Sequence, residues 1–439
     1  MRKVVLFFNL IFQRYTPDPF VIATLLTFLV FLLGVTLTPT SSLELINYWG
    51  NGFWKIIAFT LQMVMVLVGG YIIAISPPMQ TLLKWFTGKI HHPLQAVVFV
   101  SLISSFASWL NWGLGLVVGA FVALELARKI PQLNFKVLVA SAYTGFIVWH
   151  GGLSGSIPLV VNSEKNFSFE QIGRIIPTQE TLFAPFNLVL LGLLFVSLPF
   201  INMLLYRWYG DSENSTPQIQ EEPPQAKDVS DLRTPAEKLE SSSLVTFLLF
   251  VMSAVFVGSL ALQGNFQLDL NNVNFLFFFL GLILHKQPKS FIRAAIESSE
   301  KVGPLLIQYP LYAGIMAMIS QSGLAAQISQ FFIHISTPET FPIWTFSSAG
   351  LVNIFVPSGG GQWAIQAPIV IPAAQALGVD LGKSVMAVAW GDAWTNLAQP
   401  FWALPVLAIA GLKVKDIMAH CIFVLMATGL LISTVLFLF

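Results

Sequence analysis

Val356-Pro-Ser-Gly-Gly-Gly-Gln-Trp363 sits in the middle of a run, Thr340 to Val379, that carries no charged residue. Proline removes a backbone donor and three successive glycines raise the entropic cost of helix, so the stretch should break a helix at its centre. In hydrocarbon such a break leaves backbone polar groups unpaired unless protein or a water-filled cavity supplies partners. The first arm, 342–356, has 15 residues. That is roughly 22 Å of helix, against a hydrocarbon core about 30 Å thick. The second arm, from Gln362 to Ala376, is equally short. Two short arms meeting at a polar, glycine-rich tip predict a re-entrant hairpin over 343–376 whose tip binds something.

Composition sets the class. Hydrophobic residues make up 55% of the 439 and charged residues 10%, where a soluble protein carries about 25% charged. Mean hydropathy is +0.75. Several apolar runs are long enough to span, so the chain reads as an all-α polytopic membrane protein. A net charge of +1 points to no nucleic-acid partner. The single cysteine, Cys421, excludes an intramolecular disulfide and a cysteine-rich metal site. Arg2 and Lys3 precede an apolar patch, but Gln13 to Pro19 is no small-residue cleavage site, so 1–19 reads as an amphipathic N-terminal segment on the membrane surface.

The first transmembrane repeat is expected over 20–206, with spans at 20–38, 56–76 and 180–206, a hairpin at 94–124 and a broken span at 137–161. A mixed-charge stretch rich in Pro, Ser and Gln, 207–243, reads as a cytoplasmic polar linker. A linking transmembrane helix over 244–263 follows. The second repeat, 264–439, has spans at 272–285, 303–322 and 417–438, the hairpin at 343–376 and a broken span at 383–410. Lys and Arg in the short loops orient the chain. Arg2, Lys3 and Arg14 place the N-terminus in the cytoplasm. Lys84, Lys89, Arg128, Lys129, Lys136, Lys286, Lys289, Arg293, Lys301, Lys413 and Lys415 join that side only if 94–124 enters and leaves the same face.

The halves resemble each other. Ile56 to Gln62 is similar to Gly303 to Gln308, and the Trp109-Leu-Asn-Trp-Gly113 tip corresponds to Ser358-Gly-Gly-Gly361. Ala140 to Pro158 aligns with Ala387 to Pro405. The extra span between them turns the second copy upside down. Inverted repeats with paired hairpins and broken helices are the pattern of a secondary transporter with its site at the midplane.

Four breaks should therefore converge: at Asn111, Trp112 and Gly113; at 149–156; at 357–363; and at 392–400. Helix ends there present free N–H and C=O groups, which suit carboxylates and cations respectively. Asn111, Trp112, Gly113, Ser154, Gly155, Ser156, Ser358, Gly359, Gly360, Gly361, Gln362, Trp363, Thr395, Asn396 and Gln399 are the expected substrate-binding residues. Glycines of this kind serve close helix packing equally well. Asp392 is the only acid deep within an expected span, and its burial calls for a cation, a proton or hydroxyls. It is the expected coupling residue for Na⁺ or H⁺, with His150 as a second titratable group. No Lys or Arg falls in the expected site, which suits a small monoanion held by helix ends and neutral donors. No cofactor and no catalytic residue is expected. An intramembrane enzyme using His150, Ser154 and Asp392 is the rival from another class, and it lacks a nucleophile motif.

Trp49 to Trp54, Asn111 to Ala120, Leu153 to Pro158, Val356 to Trp363, Val370 to Gly378 and Ala398 to Pro405 resemble the short-chain fatty acid transporter family, the AtoE-type carriers. The resemblance covers nearly the full chain. It implies a bacterial inner-membrane carrier for butyrate-like acids within the wider ion-transporter superfamily, whose members tend to be dimers with a scaffold and an elevator-like moving domain. Other small organic anions, amino acids or Na⁺/H⁺ antiport are the cargo alternatives. His150 departs from the family pattern, in which glycine is usual, so no family-wide proton role attaches to it.

Overall fold

The structure, a computed structural model, describes residues 19–130, 132–164, 166–209, 234–300, 302–356, 358–399 and 402–439. The expected amphipathic segment up to residue 18, the linker residues 210–233, and Pro357, Pro400 and Phe401 lie outside them. The described residues are helical, with no strand among them. Among the described residues, six helices or helix runs are long and apolar enough to cross a membrane: Ile57–Ile75, Pro93–Leu110, Phe135–Val161, Pro185–Trp208, Ser243–Leu262 and Val414–Leu438. Their burial separates centre from periphery. Phe135–Val161 is 94% buried and Ser243–Leu262 only 11%, so the first broken helix is the core and the linking helix leans on the outside.

Both halves run through the same order of elements. A 19-residue helix, Ile57–Ile75 or Gly303–Gln321, is followed by a short amphipathic helix, Pro77–Thr87 or Leu324–Ile335. Then come a helical pair, a broken helix and a 25-residue helix, Pro185–Tyr209 or Val414–Leu438. The short amphipathic helices were not visible as spans, because at 11 and 12 residues they are too brief to cross.

Pro93–Leu110 and Trp112–Lys129 fold back on each other rather than forming one crossing. A methyl group added at Gly115 would meet Ser108, and one added at Gly119 would meet Ser104. These pairs step outward symmetrically from Asn111, as an antiparallel hairpin requires. Gly115 and Gly119 let the two backbones approach closely. In the second hairpin, Phe341–Phe355 and Gly359–Leu377, the Gln362 amide reaches back to the Ala349 carbonyl at 2.8 Å.

Three expectations are corrected. The glycines of the second tip do not break the helix: Gly359, Gly360 and Gly361 form its first turn, capped by Ser358, and the described residues outside helix there are Val356 and Ser358. The first broken helix loosens earlier than expected, into a 3₁₀ segment over Gly145–Gly151 before the turn at 152–155. The stretch expected as linker from 207 carries helix to Tyr209, and a short capped helix, Pro235–Glu240, lies within its later part.

Candidate substrate and ion site

The first tip meets the turn of the first broken helix directly. Leu153 N–H donates to the Trp109 carbonyl at 2.7 Å, and Trp112 N–H donates to Ser154 Oγ at 2.9 Å. Asn111 caps its own helix, accepting from Leu114 N–H at 2.9 Å, and its amide donates to the Val66 carbonyl at 3.2 Å. Gly113 packs on the backbone of Leu67 in the helix behind. Asn111 and Ser154 thus brace the tip with the polar groups they were expected to offer a ligand.

The second tip docks on the same broken helix from another side. A methyl at Gly359 would lie 2.6 Å from Ser156 Oγ and closer still to the His150 ring. One at Gly360 would run into Phe59, and one at Gly361 would lie 2.6 Å from Tyr312 Cδ2. Each glycine therefore faces an aromatic or imidazole ring, and lack of a Cβ is what lets the tip seat. Ser358 Oγ is 2.6 Å from the Tyr309 hydroxyl, to which it donates. Gly155 backs onto the His150 carbonyl, and Ser156 Oγ lies 2.9 Å from His150 Nε2.

His150 bridges the two halves. Its Nδ1 is 2.8 Å from the Ala389 carbonyl and 3.1 Å from Asp392 Oδ1, with both side chains fully buried. Neither Asp392 oxygen makes a well-aligned hydrogen bond among the described residues; the contact with His150 is an ion-pair distance without good alignment, the N–H being directed at Ala389. Gln362 Oε1 and Asn396 Nδ2 are likewise buried without an aligned hydrogen-bond partner among the described residues, the Asn396 amide lying close to the Asp392 carboxylate. Such groups are costly to leave unsatisfied, and these come from the second hairpin and the second broken helix, Leu381–Thr395.

The second break is braced by a residue the sequence reading passed over. Asn353, on the first arm of the second hairpin, donates to the Asp392 carbonyl at 2.8 Å, Thr395 Oγ1 at 3.0 Å and Asn396 Oδ1 at 2.9 Å. Gln399 donates to Asn353 Oδ1 at 3.3 Å and to Asn396 Oδ1 at 2.9 Å. Thr395 donates to the Gly350 carbonyl at 2.8 Å, and the Tyr143 hydroxyl to the Asn396 carbonyl at 2.6 Å. The one side-chain amide in an arm free of charge was the available signal for Asn353. Tyr309, one residue after Gln308, was the other residue missed.

Trp112 and Trp363 part company. Trp112 packs edge-on against Trp402, centroids 5.0 Å apart, and against Trp149 at 6.2 Å. The indole N–H groups of Trp112 and Trp149 are buried and have no hydrogen-bond partner among the described residues. Trp363 turns away, donating to Ser168 Oγ at 3.1 Å in the loop after the first broken helix. No Lys or Arg is among the buried residues described, and no group of three or more metal-ligating side chains occurs among the described residues.

This architecture is that of a membrane transporter. The fold is similar to the Alcanivorax borkumensis YdaH transporter, with a TM-score of 0.58 at 14% identity, covering 95% of this chain and 98% of that one. It is also similar to Neisseria gonorrhoeae MtrF, described among a class of antimetabolite efflux pumps, with a TM-score of 0.54 at 16% identity over 98% and 97% of the chains. The chain belongs to the short-chain fatty acid transporter family, whose profile, described as "Short chain fatty acid transporter", matches residues 1–439. A relative from Escherichia coli K12, provisionally described as a short-chain fatty acid transporter, is 42% identical over 95% of both chains. One from Haemophilus influenzae with the same description is 40% identical over 97% of both. The family is one of transporters rather than enzymes, and the chain is a multi-pass inner-membrane protein.

Proposed function

We propose that this protein is a secondary active transporter that takes up short-chain fatty acids of the butyrate type, coupled to Na⁺ or H⁺. The observation that carries the reading is a fully buried Asp392, 3.1 Å from His150 of the first broken helix, with no aligned hydrogen-bond partner and no buried Lys or Arg among the described residues. A monocarboxylate needs a few donors and a short apolar slot, each buried methylene contributing about 0.8 kcal/mol. The indole N–H groups of Trp112 and Trp149 and the buried Asn396 amide are such donors, and the rings of Trp112, Trp149 and Trp402 are such a slot. Asp392 and Gln362 Oε1 supply acceptors for the coupling ion or proton, with His150 able to share that proton. The matched order of elements supports inverted repeats and an elevator-like movement of the hairpins, in a homodimer that uses a fixed outer layer.

The test is accumulation of labelled butyrate in proteoliposomes with Na⁺ and pH gradients imposed separately. Saturable, gradient-driven uptake of unaltered butyrate is expected. Absence of saturable uptake under either gradient refutes the reading, and uptake of a different anion in its place reassigns the cargo.

A further inference from the structure

Beside the converging breaks lies a cavity of about 480 Å³ that none of the expected site residues lines. Its walls include Lys55, Phe59, Leu159, Val160, Phe167 and Asn271. Lys55 is exposed at the start of the Ile57–Ile75 helix and forms no ion pair or hydrogen bond through its ammonium among the described residues. We propose that this cavity is a second binding station for a short-chain monocarboxylate, with the carboxylate on Lys55 and the alkyl chain against Phe59, Leu159, Val160 and Phe167. The inference rests on the carrier reading above and adds to it a place where the substrate waits before reaching the breaks.

The chemistry of the walls selects the ligand. One unpaired ammonium facing an apolar floor fits a single carboxylate with a short tail. Asn271, whose carbonyl oxygen accepts from Gln62 Nε2 at 2.8 Å, lies on the rim and has an amide N–H pair to offer. Asp269 also lines the cavity, engaged in capping its own helix through Asn272 N–H at 2.8 Å, and it makes no ion pair with Lys55. A fixed negative charge there disfavours a second carboxylate on the ligand, so monoacids are preferred to diacids.

Position ties the cavity to the transport route. Phe59 stacks edge-on with Phe167, centroids 5.7 Å apart, and lies 5.6 Å from Tyr309, the partner of Ser358. The glycine of the tip that abuts Phe59 is Gly360. One ring therefore stands between the cavity and the second hairpin tip, and its swing would join the two. By the orientation that the loop charges imply, Lys55 lies at the outer end of its helix, where an incoming acid arrives.

Ala58 is exposed, lines the cavity one turn after Lys55, and is a position where a thiol can be placed without crowding. The natural Cys421 is buried, so a membrane-impermeant maleimide reports on Ala58→Cys. Butyrate should slow this labelling in reconstituted protein and neutral butyramide should not. Lys55→Ala should remove the protection and raise the apparent KM for uptake about tenfold, the scale of one charge-assisted contact, with kcat retained; Lys55→Arg should keep both. Protection that persists when Ser358→Ala disables the tip shows that it is not relayed from there. Absence of protection while uptake is intact overturns the second station, as does protection that survives Lys55→Ala. Protection produced by phosphatidylglycerol alone, and absent in phosphatidylcholine vesicles with butyrate, assigns the cavity to a lipid headgroup and also overturns it. Protection without any uptake refutes the carrier reading and leaves the anion station standing.

Discussion

Gly359→Ala should separate a tip glycine needed for seating from one needed for backbone freedom. The residue is helical, so alanine costs nothing in backbone conformation, and the whole effect must come from the added methyl group. That methyl would lie 2.6 Å from Ser156 Oγ and closer to the His150 ring, where ordinary contact begins at 3.4 Å. Neither neighbour can yield cheaply. His150 is held at Nδ1 by the Ala389 carbonyl at 2.8 Å and at Nε2 by Ser156 Oγ at 2.9 Å. The tip must therefore lift by about 1 Å, and overpacking of this kind costs about 1–3 kcal/mol. At about 1.4 kcal/mol per decade, the seated state loses roughly 5- to 150-fold in population. Initial butyrate uptake by Gly359→Ala in proteoliposomes should fall by about tenfold or more, while monodisperse protein is still recovered from detergent. Gly192→Ala and Gly258→Ala are the controls. Both glycines lie within helices with nothing within 4 Å of the added methyl, so alanine should leave uptake unchanged and raise stability by about 0.5–1 kcal/mol. Wild-type uptake and wild-type melting of Gly359→Ala would refute the seating mechanism.

Asp392→Asn should abolish gradient-driven accumulation while leaving counterflow exchange largely intact; unchanged accumulation would remove Asp392 from coupling. Asn353→Ala strips donors from the Asp392 carbonyl and Asn396 Oδ1, which should destabilise the protein by about 1–3 kcal/mol in a thermal-aggregation assay, and a shift within error would show that the second break holds without it. Trp363→Phe keeps the ring and loses the bond to Ser168, so uptake should stay near wild type with about 1 kcal/mol less stability; a collapse of uptake would return Trp363 to the binding site. The Ser41 hydroxyl and amide hold the Glu44 carboxyl below its ordinary value of 4.5. A depressed carboxyl stabilises above its unfolded pKa and ceases to as pH falls through the folded value, so hydrogen exchange at the start of Ser42–Gly52 should accelerate on acidification below the ordinary carboxyl value of 4.5; a pH-independent ratio to the random-coil exchange rate would refute it.

The class of fold was legible because hydrocarbon imposes one rule, that backbone groups be paired, and sequence reports where that rule is strained. The turn at Asn111 could be read because asparagine followed by glycine two residues on caps and packs in a way few other pairs can. The roles of the tip glycines could not. A glycine run lowers helix propensity locally, but three rings from three other helices, His150, Phe59 and Tyr312, decide that the run is helix. Nor could sequence separate bracing polar groups from free ones. Asn111 and Asn396 look alike in the chain, yet the Asn111 amide is engaged with Val66 and that of Asn396 is not. Asn353 escaped for the same reason, since its three acceptors all sit on another helix. Lys55 carried no signal in the chain because the cavity it borders is built by three segments about a hundred residues apart.

The proposed coupling would follow from the electrostatics of the proposed site rather than needing a separate device. An ionised Asp392 and a bound carboxylate about 5 Å apart repel by about 3 kcal/mol at an effective dielectric constant near 20. That is more than two decades in affinity, and no buried Lys or Arg is present among the described residues to offset it. A proton on Asp392, or a cation between Asp392 and the Gln362 carbonyl oxygen, removes the repulsion. In the proposed mechanism the anion would bind well only when the coupling species is already there, and by linkage the coupling species would bind better when the anion is present. A carrier built this way moves the pair together, and either partner alone poorly. Neutralising residue 392 removes the reason for the pairing: Asp392→Asn should exchange butyrate at a rate that no longer depends on Na⁺ or pH, which is the behaviour that distinguishes lost coupling from lost binding.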